Sequence, residues 1–284
     1  MKTLSKHSSF GGTTGFYEHW SEANQCMMKF SVYEPPEAKG KMVPVVIYLA
    51  GLTCNEETFM TKSGAQRVAS ELGLMIVAPD TSPRGDGVPD DPESAWDFGL
   101  GAGFYLNATE EPYSRNYKMD NYITRDLKKV IFENFNGSKL AQGIFGHSMG
   151  GHGALTLGLK YSDIYKSISA FAPICAPMSC PWGQKAFKNY LGDDEKIWRD
   201  FDASVLIKGV ENAKSKFPIL IDQGMGDQFL IKELHPHLLE KGAEKSGYPL
   251  NIRCHEGYDH GYYFISSFME DHLRHHAKIL KSEE

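Results

Sequence analysis

The sequence lacks a long apolar segment and an excess of positive charge. No run of residues approaches the roughly 18 consecutive apolar residues of a membrane-spanning helix. The first residues, MKTLSKHSSFGG, contain no apolar stretch typical of a secretory signal. A net charge of −6 disfavours nucleic acids and anionic membrane surfaces as partners, since both favour clustered Lys and Arg. We therefore expect a cytoplasmic protein that binds neither.

The sequence also lacks paired cysteines, internal repeats and linkers. An odd number of cysteines without a C-x-x-C pair is typical of a reducing compartment, so we expect free thiols. With 284 residues, 41% of them hydrophobic, the chain can bury a sufficient core without disulfides or metals. We expect one domain over residues 1–284. The five cysteines are Cys26, Cys54, Cys175, Cys180 and Cys254.

Short apolar runs alternate with helical patterns along most of the chain. Strands are predicted at residues 45–49, 75–78, 142–145, 167–171, 219–222 and 250–254. Helices are predicted at residues 65–71, 123–131 and 230–245, from Met149, and from Tyr262. The N-terminal stretch favours a β-hairpin, residues 80–112 a functional or capping loop, and residues 175–209 an insertion. This alternation predicts an α/β fold, a mostly parallel central sheet with helices on both faces.

The motif Gly146-His147-Ser148-Met149-Gly150 points to nucleophilic catalysis. Gly-x-Ser-x-Gly alone is a weak signal, but here it follows a predicted strand and precedes a predicted helix. That setting is the nucleophile elbow of the α/β-hydrolase fold, in which serine occupies a strained turn. We therefore predict that Ser148 is the nucleophile. The alternative is a glycine-rich turn in which Ser148 only caps a helix.

A serine nucleophile needs a histidine base and an orienting carboxylate, which follow it in the order Ser, Asp, His in this fold. His260 lies between the last predicted strand and the last predicted helix, where a loop can reach the elbow. Asp222 and Asp227 both follow the penultimate strand; Asp227 is favoured because it lies further into the loop, while Asp222 could brace that loop. His147 and His152 border the elbow, and we expect packing or support of the oxyanion site from them.

The remaining parts of the reaction are assigned to the backbone. Two N–H groups, those of Met149 and Leu52, are expected to form the oxyanion hole, because this fold takes one donor from the residue after the nucleophile and one from the loop after an early strand. The chemistry requires neither a metal nor a cofactor, and no H-E-x-x-H or Cys/His ligand spacing occurs.

Taken together, these segments resemble the S-formylglutathione hydrolase (esterase D) family over nearly the whole chain. The matching segments are residues 49–54, 78–85, 97–99, 103–105, 146–154, 181–183 and 222–224 with Asp227. The resemblance implies the catalytic residues Ser148, Asp227 and His260, which settles the aspartate. It also implies hydrolysis of S-formylglutathione to formate and glutathione, and makes a homodimer plausible. One departure is Gly261, where relatives often have serine.

A formyl group is small, so bulky side chains such as Trp96, Trp182 or Phe104 could close the acyl side of the pocket. Cys54 adjoins the oxyanion loop, and alkylation of its thiol is expected to obstruct the site. The carboxylates of glutathione require cationic or backbone donors. The sequence does not choose among the candidate cations, which are Lys62, Arg84, Arg115 and Lys185.

Three other functions are compatible with parts of this pattern. A general short-chain carboxylesterase would use the same three residues. A binding protein could keep the fold without activity, although an intact Ser148, Asp227 and His260 argue against it. Acyl transfer to a sugar or lipid, as in mycolyltransferase-like proteins, would normally accompany secretion.

Overall fold

The protein, described by a computed structural model over residues 1–282, is built around a nine-stranded sheet. The strand order across these residues is β1-β2-β3-β5-β4-β6-β7-β8-β9. The strands are β1 Lys2–Ser9, β2 Gly12–Ser21, β3 Cys26–Glu34, β4 Val43–Leu49, β5 Met75–Pro79, β6 Gly137–His147, β7 Tyr165–Phe171, β8 Ile219–Gly224 and β9 Leu250–His255.

The helices are α1 Glu56–Lys62, α2 Ala65–Glu71, α3 Met119–Asn121, α4 Lys128–Asn134, α5 Met149–Lys160, α6 Pro181–Leu191, α7 Glu195–Trp198, α8 Ala203–Leu206, α9 Pro236–Ser246 and α10 Tyr262–Leu280. A π-helical segment, Tyr122–Leu127, joins α3 to α4, and another covers Leu230–Leu234. None of the helices in residues 1–282 is long and apolar enough to cross a membrane.

Strand direction follows the apolar pattern of the sequence. Strands β4 to β9 pair in parallel, whereas β1, β2 and β3 are antiparallel and β3 joins the parallel part through β5. Every residue of β4 and β5 is buried, as expected for strands covered on both faces. β1 lies at the sheet edge and is mostly exposed.

Helices cover both faces of the sheet, as the alternating side chains of β7 illustrate. Ser167 and Ser169 hydrogen-bond to His276 of α10. Ile168, between them, packs on the opposite side against Gly158 of α5. Since successive side chains of a strand point to opposite faces, α5 and α10 lie on opposite sides of the sheet. The predicted α/β-hydrolase fold is confirmed.

Most predicted elements are present, three predictions need revision, and one helix was not predicted. The N-terminal stretch forms three antiparallel strands rather than one hairpin. The helix predicted at residues 230–245 is interrupted at His235, which adopts a left-handed conformation (φ 48°) immediately before Pro236 begins α9. The residues 175–209 contain the helices α6, α7 and α8. Sequence periodicity did not predict α1.

Candidate active site

Ser148 lies in the sharp turn between β6 and α5. Its backbone has φ 58° and ψ −119°, a conformation that side-chain-bearing residues rarely adopt. The turn is fixed from both sides, because Ser148 N donates to Phe171 O of β7 (3.0 Å) and Ser148 O accepts from His152 N (3.0 Å) and Ile174 N (3.2 Å). The residue itself is 3% exposed. The sequence-predicted nucleophile therefore occupies a strained and well-supported position.

The glycines flanking Ser148 allow the turn to pack tightly. A Cβ atom on Gly146 would overlap the carbonyl group of Gly150, and one on Gly150 would overlap the carbonyl of Leu49. Both contacts are with backbone, which cannot move aside as a flexible side chain can. The motif is therefore required by close approach between β4, β6 and α5.

His260 and Asp227 meet in a short hydrogen bond. His260 Nδ1 donates to Asp227 Oδ2 over 2.5 Å. Asp227 is also held by Phe229 N, which donates to Oδ1 (2.8 Å), and its side chain is fully buried, whereas that of His260 is 16% exposed. The structure therefore places the predicted base against the predicted acid, with Nε2 left for proton exchange.

The loops that carry these two side chains are joined to each other. Met225 N donates to His255 O and Gly226 N donates to Tyr258 O, both over 2.9 Å. These backbone bonds fix the loop of Asp227 against the loop of His260. The pairing of the acid and the base is therefore built into the main chain at the carboxyl ends of β8 and β9.

Asp222 has a different environment from Asp227. Its buried carboxylate accepts hydrogen bonds from Arg253 (Nε and Nη2, both 2.6 Å), His255 (3.0 Å) and His272 (3.1 Å). Burial opposes ionisation, but the bonds from His272 and Arg253 outweigh it and hold the pKa of Asp222 well below its ordinary value. Asp222 thus links β8, β9 and α10 beneath the two loops, as the bracing alternative predicted.

His147 and His152 are both buried beside the elbow. The ring centroid of His147 lies 4.4 Å from that of His260, and neither nitrogen of His147 has a partner among the described residues. Burial, reinforced by the nearby His260, lowers the pKa of His147 well below its ordinary value, so it stays neutral. His152 Nε2 donates to Phe104 O (3.0 Å), and burial lowers its pKa to about 4.

The loop after β4 lies directly against the nucleophile. A Cβ atom on Gly51 would come within 3.2 Å of the Ser148 Cβ. The loop is held by bonds from Thr53 N to Gly101 O (3.0 Å) and from Cys54 N to Gly51 O (3.3 Å). The N–H groups of Thr53 and Cys54, which follow Leu52, are therefore already hydrogen-bonded. Met149 is the first residue of α5, and the N–H groups in the first turn of a helix have no partner within the helix. The oxyanion assignment of Leu52 and Met149 stays a prediction.

A cavity of about 280 Å³ opens above Ser148. Trp96, Trp182 and Cys54 line it, as the sequence suggested, while Phe104 is fully buried and does not. Burial raises the pKa of the Cys54 thiol. The full lining is Gly51, Leu52, Thr53, Cys54, Thr58, Lys62, Trp96, His147, Ser148, Trp182, Phe229, His260 and Tyr262.

Three lining residues were not foreseen from the sequence. The ring of Phe229 packs edge-on against His260, with ring centroids 5.0 Å apart, and also contacts Trp182. Tyr262 OH lies 3.4 Å from Tyr48 OH, and Thr58 belongs to the first turn of α1. Phe229 and Tyr262 each lie two positions after a predicted catalytic residue, which is the one signal that could have indicated them.

Comparison with known proteins agrees with this architecture. Residues 21–275 match the esterase family model ("Putative esterase"). The S-formylglutathione hydrolase of Rattus norvegicus is 48% identical over 99% of both chains. That of Arabidopsis thaliana is 51% identical over 99% of this chain and 98% of its own. The S-formylglutathione hydrolase structure from Agrobacterium tumefaciens superposes with a TM-score of 0.95 at 48% identity, covering 99% of this chain and 100% of that one.

Full-length similarity at this level, together with the serine elbow and the sheet order, establishes the family. The resemblance inferred from the sequence motifs is confirmed. The chain belongs to the S-formylglutathione hydrolase family of esterases.

Proposed function

We propose that the protein hydrolyses the thioester S-formylglutathione to formate and glutathione through an acyl-enzyme on Ser148. The observation that carries the proposal is the His260–Asp227 bond of 2.5 Å at a cavity that contains Ser148. The substrate is taken from the relatives named S-formylglutathione hydrolase, which match this chain along its full length.

In the first half of the reaction, Ser148 Oγ attacks the formyl carbon while its proton passes to His260 Nε2. Asp227 orients the ring and stabilises the imidazolium. The N–H groups of Met149 and Leu52 stabilise the negative oxygen of the tetrahedral intermediate. When the intermediate collapses, the carbon–sulfur bond breaks and His260 Nε2 gives its proton to the departing sulfur, so that glutathione leaves as the thiol and His260 is neutral again. With a thiol pKa of about 8.5, this leaving group needs less acid assistance than an alkoxide.

In the second half, water replaces the thiol. His260 removes a proton from the water as it attacks the formyl carbon of the ester on Ser148, and the same oxyanion donors are used again. Collapse returns the proton to Ser148 Oγ and releases formate. Glutathione and formate are the only products, and no external oxidant or reductant is needed.

The walls of the cavity favour a small acyl group. The rings of Trp96 and Trp182 meet edge-to-face with centroids 5.4 Å apart, and Trp182 contacts Phe229 at 4.8 Å. Trp182 and Phe229 are held by surrounding structure, whereas Trp96 is 54% exposed. We assign Trp182 and Phe229 to the acyl side, where they restrict chain length, and Trp96 to the entrance.

The alternative function is that of a general short-chain carboxylesterase, because the same three residues would cleave an oxygen ester. The two are separated by comparing kcat/KM for S-formylglutathione with kcat/KM for p-nitrophenyl acetate. We expect the thioester to be strongly preferred. A clear preference for the oxygen ester would replace the proposal with the alternative.

An inactive binding protein is tested separately by a fluorophosphonate probe, which reacts only with an activated serine. The wild type should be labelled and Ser148→Ala should not be. An unlabelled, folded wild type would favour the binding function.

The finer features of the protein are also proposals. The five cysteines are free thiols, which supports a reducing, cytoplasmic location. The single continuous sheet supports one domain. The exposed side chains of Leu4 and Phe10, at the β1 edge of the sheet, support a homodimer formed through this edge. Sedimentation of the wild type and of Phe10→Glu tests the dimer, which should dissociate in the variant.

A further inference from the structure

One lysine at the cavity has a position that the reaction does not explain. Lys62 is the last residue of α1, which begins directly after the oxyanion loop. Its Nζ lies 5.8 Å from the ring centroid of Tyr262, the first residue of α10 after the loop of His260. Lys62 therefore lines the same cavity as Leu52 and His260 and is close to the segments that follow each of them.

The other candidate cations are already paired with carboxylates or lie elsewhere. Arg84 donates to Asp80 through Nε (2.8 Å) and Nη2 (3.1 Å). Lys185 binds Asp97 (2.6 Å) and Asp91 (3.4 Å). Arg115 is exposed and does not line the cavity. Within residues 1–282, by contrast, Lys62 forms no salt bridge.

The lining of the cavity also contains no Asp or Glu. Among the described residues that line the cavity, Lys62 is the one with a permanent charge. The catalytic carboxylate of Asp227 is bonded to His260 and is not part of the lining. Lys62 is exposed to solvent at the rim of the cavity, where it can meet an entering ligand. An ammonium group that no carboxylate pairs with attracts anions. A ligand that fills this cavity is therefore favoured when it carries an anionic group on the side of Lys62.

We infer that Lys62 binds a carboxylate of the thiol leaving group and thereby selects anionic thioesters over neutral ones. The inference rests on the proposed function, because it names a contact to the same substrate. Tyr262 supports the lysine: its ring is held by the contact of its hydroxyl with Tyr48 (3.4 Å), and its face stabilises the ammonium. Lys62 acts in specificity and has no role in the bond-breaking steps.

The test combines an enzyme variant with a substrate variant. Lys62→Met removes the charge and keeps an unbranched apolar stem, whereas Lys62→Arg keeps the charge. The substrates are S-formylglutathione and its dimethyl ester, in which both carboxylates are masked and the thioester is unchanged. The matched control is Lys41→Met, an exposed lysine just before β4, at the opposite end of that strand from the oxyanion loop.

We expect Lys62→Met to lower kcat/KM for S-formylglutathione about fivefold, mainly through KM, because the contact binds the ground state and transition state alike. Lys62→Arg should stay within about twofold of the wild type, and the wild-type preference for the free acid should weaken as salt is added. For the dimethyl ester, kcat/KM of Lys62→Met should lie within about twofold of the wild-type value. For Lys41→Met, kcat/KM should lie within about twofold of the wild-type value with both substrates.

Equal losses for the two substrates in Lys62→Met would overturn the inference, because the lysine would then act on structure or chemistry. An unchanged kcat/KM for both would overturn it as well. Neither result affects the proposed function. The proposed function would fail if the wild type itself did not hydrolyse S-formylglutathione, an outcome that the same experiment measures separately.

Discussion

Replacing Asp222 with asparagine should destabilise the protein while leaving most of the catalytic chemistry in place. The substitution keeps the shape of the side chain but removes its charge and replaces one acceptor oxygen with a donor that faces Arg253 or His272. Asp222 is fully buried, so the loss leaves a cation facing a neutral group beneath the active-site loops.

The magnitude follows from the burial of the two partners. Breaking a fully buried ion pair costs about 3–5 kcal/mol. Because 31% of the Arg253 side chain is exposed, water can compensate in part, and we expect a loss of about 2–3 kcal/mol. For a chain of 284 residues that corresponds to a fall in Tm of about 3–5 °C.

The assay is urea unfolding followed by circular dichroism, with Asp271→Asn as the matched control. Asp271 also binds Arg253 (2.8 Å), but its side chain is 49% exposed, so its loss should cost less than about 1 kcal/mol. Since the pKa of Asp222 is lowered in the folded state, its contribution to stability is fully present above the unfolded pKa of about 3.9 and is lost progressively as the pH falls from there through the lower pKa of the folded state. The difference between wild type and Asp222→Asn should therefore shrink in acid.

Two results would refute this reasoning. An Asp222→Asn variant as stable as the wild type would mean that the network beneath the loops contributes nothing. A variant that unfolds normally but loses activity by a factor near that expected for the catalytic carboxylate would mean that Asp222, rather than Asp227, orients the base.

The remaining predictions concern the elbow and its neighbours. Asp227→Asn should lower kcat by about 10³–10⁴ with little change in stability, because the amide favours the wrong tautomer of His260. A fall in kcat of less than tenfold, measured by stopped-flow kinetics on folded protein, would contradict this. Gly150→Ala should destabilise the fold by about 1–3 kcal/mol through overlap with backbone carbonyls, whereas Gly40→Ala, with open space around it, should be neutral in the same thermal scan. N-ethylmaleimide should inactivate the enzyme slowly at neutral pH, because burial raises the pKa of the Cys54 thiol, and the rate of inactivation should increase as the pH rises. Cys54→Ser should abolish this sensitivity. The assignment is wrong if the exposed Cys254 is responsible instead.

Local patterns in the sequence were sufficient for the parallel strands and the elbow, but not for the three antiparallel strands at the N-terminus. The strands β4 and β5 are short apolar runs with defined ends, and the glycine spacing of the motif reflects close backbone contacts of the strand–turn–helix unit with itself and with β4. The same holds for α10, whose predicted start at Tyr262 agrees with the structure.

The parts that depend on distant contacts could not be read from the sequence. α1 is only seven residues long and is stabilised by the capping box of Asn55 and Thr58 and by burial of Phe59 and Met60. Without α1, the position of Lys62 beside Tyr262 was not predictable. Which side chains reach the cavity likewise depends on how separate loops meet in space.

The two aspartates after β8 illustrate the same limit at a smaller scale. Asp222 lies within the strand, where its direction is fixed by the pleat, and it points to the network of α10. Asp227 lies beyond the strand, in the loop joined to the loop of His260. Loop position alone favoured Asp227, but it did not determine the partners of either carboxylate.

The rate of S-formylglutathione hydrolysis by Ser148→Ala measures most directly whether Ser148 carries the acyl group. The substitution keeps the Cβ atom and removes only the hydroxyl, so the turn should remain intact. An acyl-enzyme mechanism on Ser148 predicts a fall in kcat of roughly 10⁵–10⁶ for folded protein. A Ser148→Ala enzyme that retains activity within tenfold of the wild type would contradict it.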